Sequence, residues 1–332
     1  MKKILIIQTA FIGDVILATS FLAQVAKHYP AAQITLLVRK GNESLLQDNP
    51  HLHKLYVWNK QRKWSSFLQI LREIRKEKFD LLFNLQRFFT TTVLSLLSRA
   101  QIKVGFSSHW LSFFYDHPIE HRMDALHEVQ RNYQLLMPVI DQLTMKRAQE
   151  LRPELYLNSV TLPFEPEKNY LVLAPFSVWA TKAWPEQYWR ELIEKVQWPV
   201  ILIGSAQDAA KAEQSFVKRV NGKQVDNYCG KLNLLQSALL MKGAQLVIAN
   251  DSAPLHLASA VNAPTLAIFC STSAKFGFTP LASVSKVLQV SHLPCHPCGL
   301  HGQKACPLVH FRCGYDLKPE LVLHEIKQLI KV

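Results

Sequence analysis

Residues 245–270, Q-L-V-I-A-N-D-S-A-P-L-H-L-A-S-A-V-N-A-P-T-L-A-I-F-C, constrain this chain most. The apolar run 246–249 predicts a buried strand. It ends in Asn250-Asp251-Ser252, residue types whose short polar side chains cap helix N-termini. Pro254 suits a first helical turn, where its missing N–H costs no hydrogen bond. Residues 255–261 continue as a short helix, and 265–269 form a second buried strand. Strand, turn, helix and strand in that order make a β-α-β unit. Its helix start offers unpaired N–H groups and a partial positive charge to an anion. His256 falls on the first turn, close enough to add a donor. The plainer reading leaves Asp251 and Ser252 as caps and His256 as a surface or packed histidine.

The same alternation runs through the whole sequence. Strands are expected at 3–8, 33–38, 54–58, 79–85 and 102–105, with helices at 15–28, 64–78, 88–99 and 124–143. Beyond a connection at 151–167 that holds three prolines, strands are expected at 170–174, 200–203 and 224–228. Helices are expected at 186–196, 206–220, 233–242 and 320–332. Strand–helix alternation argues for parallel sheets covered by helices, and 332 residues exceed what one core comfortably fills. The expectation is an α/β chain of two Rossmann-like domains, 1–160 and 161–332, with the last helix a candidate to pack back on the first. Ligands of such sheets bind at the carboxyl ends of the strands, so a cleft between the halves is the natural site. The stretch 106–122 breaks the pattern. It is rich in aromatic residues and histidine, and reads equally as a substrate-facing lid or a packed irregular loop.

A formal net charge of +13 favours an anionic partner: a phosphorylated substrate, an anionic membrane face or nucleic acid. No nucleic-acid-binding module is recognisable, and the basic clusters at 60–63 and 72–78 read as solvated helix faces. No apolar run reaches the ~18–20 residues that span a bilayer. The start resembles a signal peptide only superficially, because Gln8, Gly13 and Asp14 interrupt it; a cytosolic first strand is expected instead. Of six cysteines, Cys229 and Cys270 sit in strand-like contexts and read as buried thiols. Cys295, Cys298, Cys306 and Cys313 read as reduced structural thiols or as a structural zinc knuckle, although the second pair is spaced too widely for a regular one.

Two loops have the composition of a site. Asp14 follows the first strand beside Gly13. It reads as a helix cap, or as a general base facing the cleft where Gly13 lets a ligand approach the backbone. Ser177, Thr181 and Lys182 follow the first strand of the second half. Hydroxyls and an ammonium there suit a phosphate, against the plainer reading of a surface lysine on a polar loop. There is no G-x-G-x-x-G, no Walker A sequence and no G-x-S-x-G, which argues against a standard dehydrogenase, a P-loop kinase and an α/β-hydrolase.

Taken in order, several short segments resemble the ADP-heptose:lipopolysaccharide heptosyltransferases, inverting glycosyltransferases of the GT-B fold. They are Phe11-Ile12-Gly13-Asp14, Lys182-Ala183-Trp184-Pro185, Val200-Ile201-Leu202-Ile203-Gly204, Cys229-Gly230-Lys231-Leu232 and Asp251-Ser252-Ala253-Pro254-Leu255-His256-Leu257-Ala258. The terminal Cys295-x2-Cys298 segment is similar too, so the resemblance spans nearly the whole chain. It implies two Rossmann-like domains with parallel sheets facing a central cleft, the first for the acceptor and the second for the ADP-sugar donor. Asp14 is implied as the base. Ser177, Thr181, Lys182, Asp251, Ser252, Ala253 and His256 are implied at the donor diphosphate, Asp208 and Leu232 at the nucleoside, and Gly13 as loop support. No metal and no cofactor are implied, ADP-heptose being a substrate. The implied partners are that donor, a phosphorylated lipopolysaccharide acceptor and the inner leaflet of the cytoplasmic membrane, with the protein peripheral on its inner face and no nucleic acid bound. Other readings are a GT-B transferase of another nucleotide sugar and a non-catalytic nucleotide- or glycan-binding relative. Three glycines of the family pattern are replaced, by Ala253, Phe176 and Cys270. If Ala253 needs a left-handed backbone, the cost is about 1 kcal/mol.

Overall fold

A computed structural model describes residues 1–123, 126–140, 151–217 and 225–330. The chain divides into two compact units, Met1–Tyr156 and Leu157–Val332. The first unit is built on β1 (Lys3–Gln8), β2 (Gln33–Arg39), β3 (Lys54–Trp58), β4 (Leu81–Asn84), β5 (Ile102–Phe106) and β6 (His117–Ile119). These strands lie parallel in the order β3-β2-β1-β4-β5-β6. Its helices are α1 (Ile12–His28), α2 (Lys63–Glu77), α3 (Phe89–Leu97) and α4 (Glu128–Gln134). One face of the sheet carries α2 and α3: Phe67, Ile70, Leu71 and Ile74 of α2 and Leu94 of α3 share a buried cluster with Leu5, Ile7, Leu37 and Leu82.

The second unit is built on β7 (Leu171–Ala174), β8 (Val200–Leu202), β9 (Val225–Asn227), β10 (Leu246–Asn250), β11 (Thr265–Phe269) and β12 (Ser285–Gln289). The order is β12-β11-β10-β7-β8-β9, again all parallel. Its helices are α5 (Glu186–Lys195), α6 (Ala209–Phe216), α7 (Leu234–Lys242), α8 (Ala253–Ala260), α9 (Arg312–Tyr315) and α10 (Pro319–Ile330). The final helix, expected as a candidate to pack on the first domain, buries Val322 and Ile326 in the core of this second unit.

Counted within its own unit, each sheet has the strand order 3-2-1-4-5-6. Strand order reverses between β1 and β4 in one sheet and between β7 and β10 in the other. Loops leaving neighbouring strands in opposite directions open a crevice at that point, which is where doubly wound sheets hold ligands. The fold therefore selects four loops: those after β1 and β4, and those after β7 and β10. Among the described residues no helix is long and apolar enough to cross a membrane.

The helix expected at 124–143 is cut to seven residues, Glu128–Gln134. Met137-Pro138 forces a 3-10 turn at Met137–Val139, because proline cannot donate the next helical hydrogen bond; residues 124–125 and 141–143 lie outside the described set. The helix expected at 206–220 is split into a 3-10 turn, Ala206–Asp208, and α6, and 218–220 again lie outside. The stretch 106–122 is not irregular throughout. It holds a 3-10 turn, Trp110–Phe114, and then β6.

Candidate functional site

In the first unit the crevice is lined from β1, α1, β4 and α4. Asp14 is not at the end of β1; it is the third residue of α1, in the first turn. Gly13 beside it is also within the helix and outside the set of glycines with positive φ, so it gives room without an unusual backbone. The Asp14 carboxyl is half-buried and its pKa is pushed up from 3.8 to about 6. Burial is the main cause and the negative charge of Glu128 the second. Backbone N–H groups at the helix start and the Arg87 guanidinium pull the other way without prevailing. A carboxylate that changes charge near neutral pH suits general-base work.

Glu128 belongs to the first turn of α4 and is itself buried. Arg131 Nε donates to its Oε2 at 2.8 Å, and His121 Nε2 lies 3.4 Å from the same oxygen. Burial alone would raise this carboxyl, but the His121 and Arg131 partners more than offset it and hold it below the usual range. Asp14 thus faces a carboxylate that stays ionised. Glu128→Gln is expected to move the acidic limb of the kcat/KM profile to lower pH. It should also cost stability, about 3 kcal/mol, because Arg131 loses its buried partner. A pH–rate series with urea melts checks both effects; an unmoved limb would remove Glu128 from the tuning of Asp14.

Next to Asp14 the strand ends carry polar side chains with spare capacity. Gln86, just after β4, donates through Nε2 to Gln8 Oε1 at the end of β1. Yet Gln86 Oε1 and Thr9 Oγ1 are buried with no partner among the described residues. Buried polar atoms are normally satisfied. Two open ones at a switch point suit the hydroxyls of a sugar.

In the second unit the loop after β7 meets the loop after β10. Lys182 Nζ lies 2.7 Å from Asp251 Oδ2, and both side chains are largely buried. Thr272 Oγ1 donates to the same oxygen at 2.7 Å. Asn250, the last residue of β10, accepts from the Trp184 N–H at 3.0 Å and fixes the far end of the lysine loop. Ser252 is the N-cap residue of α8, with extended backbone and no capping bond from its side chain. Ala253 is the first helical residue and is not among the residues with positive φ, so the expected strain at this position is absent. His256 is buried at the fourth position of α8, with Phe278 at 6.3 Å between ring centroids.

Two residues implied at the diphosphate have other work here. Asp251 is the anchor of Lys182, and an anion beside it would be repelled by its charge. Thr181 is buried; its Oγ1 lies 3.0 Å from Ser271 Oγ and accepts from the Gln303 N–H at 2.8 Å. Ser177, on the exposed side of the same loop, accepts from the Trp179 N–H at 3.3 Å. Asp208 closes a capping box, accepting from the Ser205 N–H at 2.8 Å and Oγ at 2.6 Å. Leu232 is half-buried two residues beyond Gly230. The +72° φ of Gly230, and a would-be Cβ 2.5 Å from Ala206 Cα, leave no room for another residue there. These groups sit at the ends of β8 and β9, beside the switch point rather than in it.

The cysteine-rich segment braces the lysine loop. The Cys298 N–H donates to Ser271 O at 2.9 Å, His296 Nε2 lies 2.8 Å from Thr272 O, and Thr181 N–H donates to Gln303 O at 3.1 Å. A Cβ on Gly302 would stand 2.7 Å from Lys182 Cγ. Cys295, Cys298, Cys306 and Cys313 are free thiols. Among the described residues no group of three His, Cys, Asp or Glu side chains is placed to hold a metal, so the zinc-knuckle expectation finds no ligand set.

Thr9, Gln86, Arg87, Glu128 and Thr272 carry none of the sequence signals that marked the others. The strand order, and for Glu128 the packing of α4 on α1, brings them to the site.

Residues 67–309 match the sequence model of Glycosyltransferase family 9 (heptosyltransferase). The chain is 27% identical over 283 residues to lipopolysaccharide heptosyltransferase 3 of Escherichia coli, covering 79% of this chain and 82% of that protein. It is 27% identical to lipooligosaccharide heptosyltransferase 2 of Campylobacter jejuni, covering 98% and 99%. Among solved structures it resembles the E. coli ADP-heptose lps heptosyltransferase II, with a TM-score of 0.78, 21% identity and 99% and 98% of the two chains covered. That last likeness is one of fold, the GT-B pairing of two Rossmann-like units.

Proposed function

Because the chain belongs to glycosyltransferase family 9, the heptosyltransferases, we propose that it transfers L-glycero-D-manno-heptose from ADP-heptose to the inner core of lipopolysaccharide, with inversion and without a metal ion. The acceptor is Kdo-lipid A or its heptosylated product, and the protein works at the inner face of the cytoplasmic membrane. The relatives' names support the donor and acceptor classes. The observation that carries the chemistry is the Asp14 carboxyl, held near pH 6 beside open polar atoms.

Asp14 takes the proton of the acceptor hydroxyl as its oxygen attacks the anomeric carbon of the heptose. The new C–O bond forms on the face opposite the diphosphate, whose own bond to that carbon breaks, so the configuration inverts in one displacement. The departing ADP gathers negative charge. Lys182, Ser177, the N–H groups of Ser252 and Ala253 and the imidazole of His256 receive it. Asp251, Thr272 and Thr181 hold those groups in place, and Asp208 and Leu232 border the nucleoside. Fixed cationic and dipolar groups can replace a metal at a diphosphate because they neutralise charge without needing to reorganise.

The test is turnover in EDTA with ADP-heptose and a lipopolysaccharide acceptor truncated before its heptoses, repeated on a mono-heptosylated acceptor. Product on one of them is expected, and which one gives the step. No product on either, with ADP bound in calorimetry, would move the reading to another nucleotide sugar.

A further inference from the structure

The first unit exposes an unusual set of aromatic side chains. Phe88 and Phe89 open α3, and Trp110, Phe113 and Phe114 lie on the 3-10 turn that follows β5; their exposure runs from 55% for Phe89 to 81% for Phe113. The two groups form one surface. His109 packs on Phe89 with ring centroids 6.0 Å apart, and its Nε2 lies 3.1 Å from Thr92 Oγ1 of α3. Looseness of the turn does not explain the exposure. Ser112 and Tyr115 are buried beneath it, and the Tyr115 hydroxyl accepts from Asn84 at 2.8 Å and donates to Thr92 at 3.2 Å. The inner side of the turn is pinned, and its outer side presents three large apolar rings to solvent. Contiguous exposed apolar patches mark surfaces meant to be covered.

The charge around the rings is mainly basic, with Asp116 paired to Lys103 and Glu73 beside Arg72 as the acidic exceptions. Residues 81–115 contain Arg87, Arg99 and Lys103 and no aspartate or glutamate. On α2, which shares this face of the sheet, Trp64, Leu68, Arg72 and Lys76 repeat every four residues and are all exposed. Arg75 Nε donates to Leu97 O at 2.6 Å and ties α2 to the end of α3. Aromatic rings rimmed by Arg and Lys fit the boundary between lipid headgroups and acyl chains, and each basic side chain adds attraction to anionic lipid. A second copy of this chain fits poorly. A two-fold contact would set the same mainly basic patch against itself, bringing together more basic than acidic side chains.

We propose that this face, formed by the Trp110–Phe114 turn, the start of α3 and the exposed stripe of α2, docks the protein on the surface of an anionic bilayer. The rings lodge at headgroup depth, and Arg72 and Lys76 lie over lipid phosphates. Phe88 adjoins Arg87, whose charge acts on Asp14, so docking brings the candidate base to the plane of the headgroups. This use of the docking rests on the lipopolysaccharide reading; the docking itself is measured without turnover.

The full chain is sedimented with vesicles of phosphatidylethanolamine and phosphatidylglycerol, and separately with vesicles of phosphatidylcholine, at low and high salt. Binding to the anionic vesicles is expected. Phe113→Ser with Phe114→Ser should weaken it by roughly tenfold or more through lost apolar burial. Arg72→Gln with Lys76→Gln should weaken it at low salt and change little at high salt. Both variants should keep wild-type turnover on a deacylated, water-soluble acceptor, which shows that they fold. Wild-type protein that stays in the supernatant, or an F113S/F114S variant that sediments like wild type, would overturn the proposal. So would a dimer that F113S/F114S dissociates while no vesicle is bound. Vesicle binding without transfer to any acceptor would instead count against the functional reading alone.

Discussion

Asp14→Asn is expected to lower kcat by about a hundred- to ten-thousand-fold, the usual weight of a positioned base, and to leave ADP affinity unchanged. The same substitution should stabilise the fold. In the native protein the carboxyl holds its proton up to about pH 6, against 3.8 for the unfolded reference. Between those values the native state binds the extra proton, so wild-type stability falls as pH rises from 4 to 6. Above pH 6 the full cost of ionising Asp14 in place is present; below about pH 4 it is absent. Asparagine never carries that charge, so the variant should gain up to about 3 kcal/mol at pH 7 and nothing near pH 4. Chemical denaturation at several pH values reads the gain, and single-turnover rates read the loss. Wild-type rates would remove Asp14 from the reaction. An inactive variant without the pH-dependent gain would mean that its carboxyl is not strained in the folded protein. The pairing of lost rate with gained stability is what a base held near neutral by burial and a neighbouring carboxylate must show, and a mere helix cap would show the opposite.

The frame of this site was legible in the sequence because β-α-β units announce themselves locally. The expected strands at 3–8, 54–58 and 265–269 coincide with β1, β3 and β11. β1 and β11 are apolar runs buried almost throughout, and β3, at the sheet edge, keeps the alternation that buries Tyr56 and Trp58. What escaped were the elements without that signal. His117–Ile119 is three residues long at the sheet edge, and Ser285–Gln289 places Lys286 among its five residues with only partial burial. The helix at 124–143 was overextended because apolar periodicity runs on through Met137-Pro138, whereas the backbone cannot.

Site residues divide the same way. Asp14, Lys182 and Ser252 lie in the segments that follow β1, β7 and β10 and could be picked out by position. Their supporting partners could not: Glu128 reaches Asp14 through the packing of α1 and α4, and Thr272 reaches Asp251 across β10 and β11. A polar residue's spacing along the chain says nothing about which strand end it will share. The strand order supplies that, and a sequence read one element at a time does not contain it. Asp251 shows the consequence. Its place in the Asp251-Ser252-Ala253 segment suggested a ligand of the diphosphate, and only the 2.7 Å contact with Lys182 reveals an anchor instead.

That contact yields the second large effect. Lys182→Met should leave the buried Asp251 carboxylate without its ion partner and cost about 3–5 kcal/mol of stability. It should also lower kcat by about a hundred- to a thousandfold, comparable to removing one preorganised donor from a developing anion, and weaken ADP binding. Loss of activity in this single variant is therefore ambiguous between a damaged fold and a missing charge. Pairing it with Asp251→Asn resolves the matter, because the neutral amide can still accept from the Thr272 hydroxyl and no longer needs a cation. The double variant should recover most of the lost stability while kcat stays down. Urea denaturation, calorimetry with ADP and turnover on the same preparations give the three numbers. Stability and activity returning together would make the Lys182–Asp251 pair structural and leave the diphosphate to other groups. Stability returning alone assigns the ammonium to the leaving group and the carboxylate to holding it where the leaving group departs.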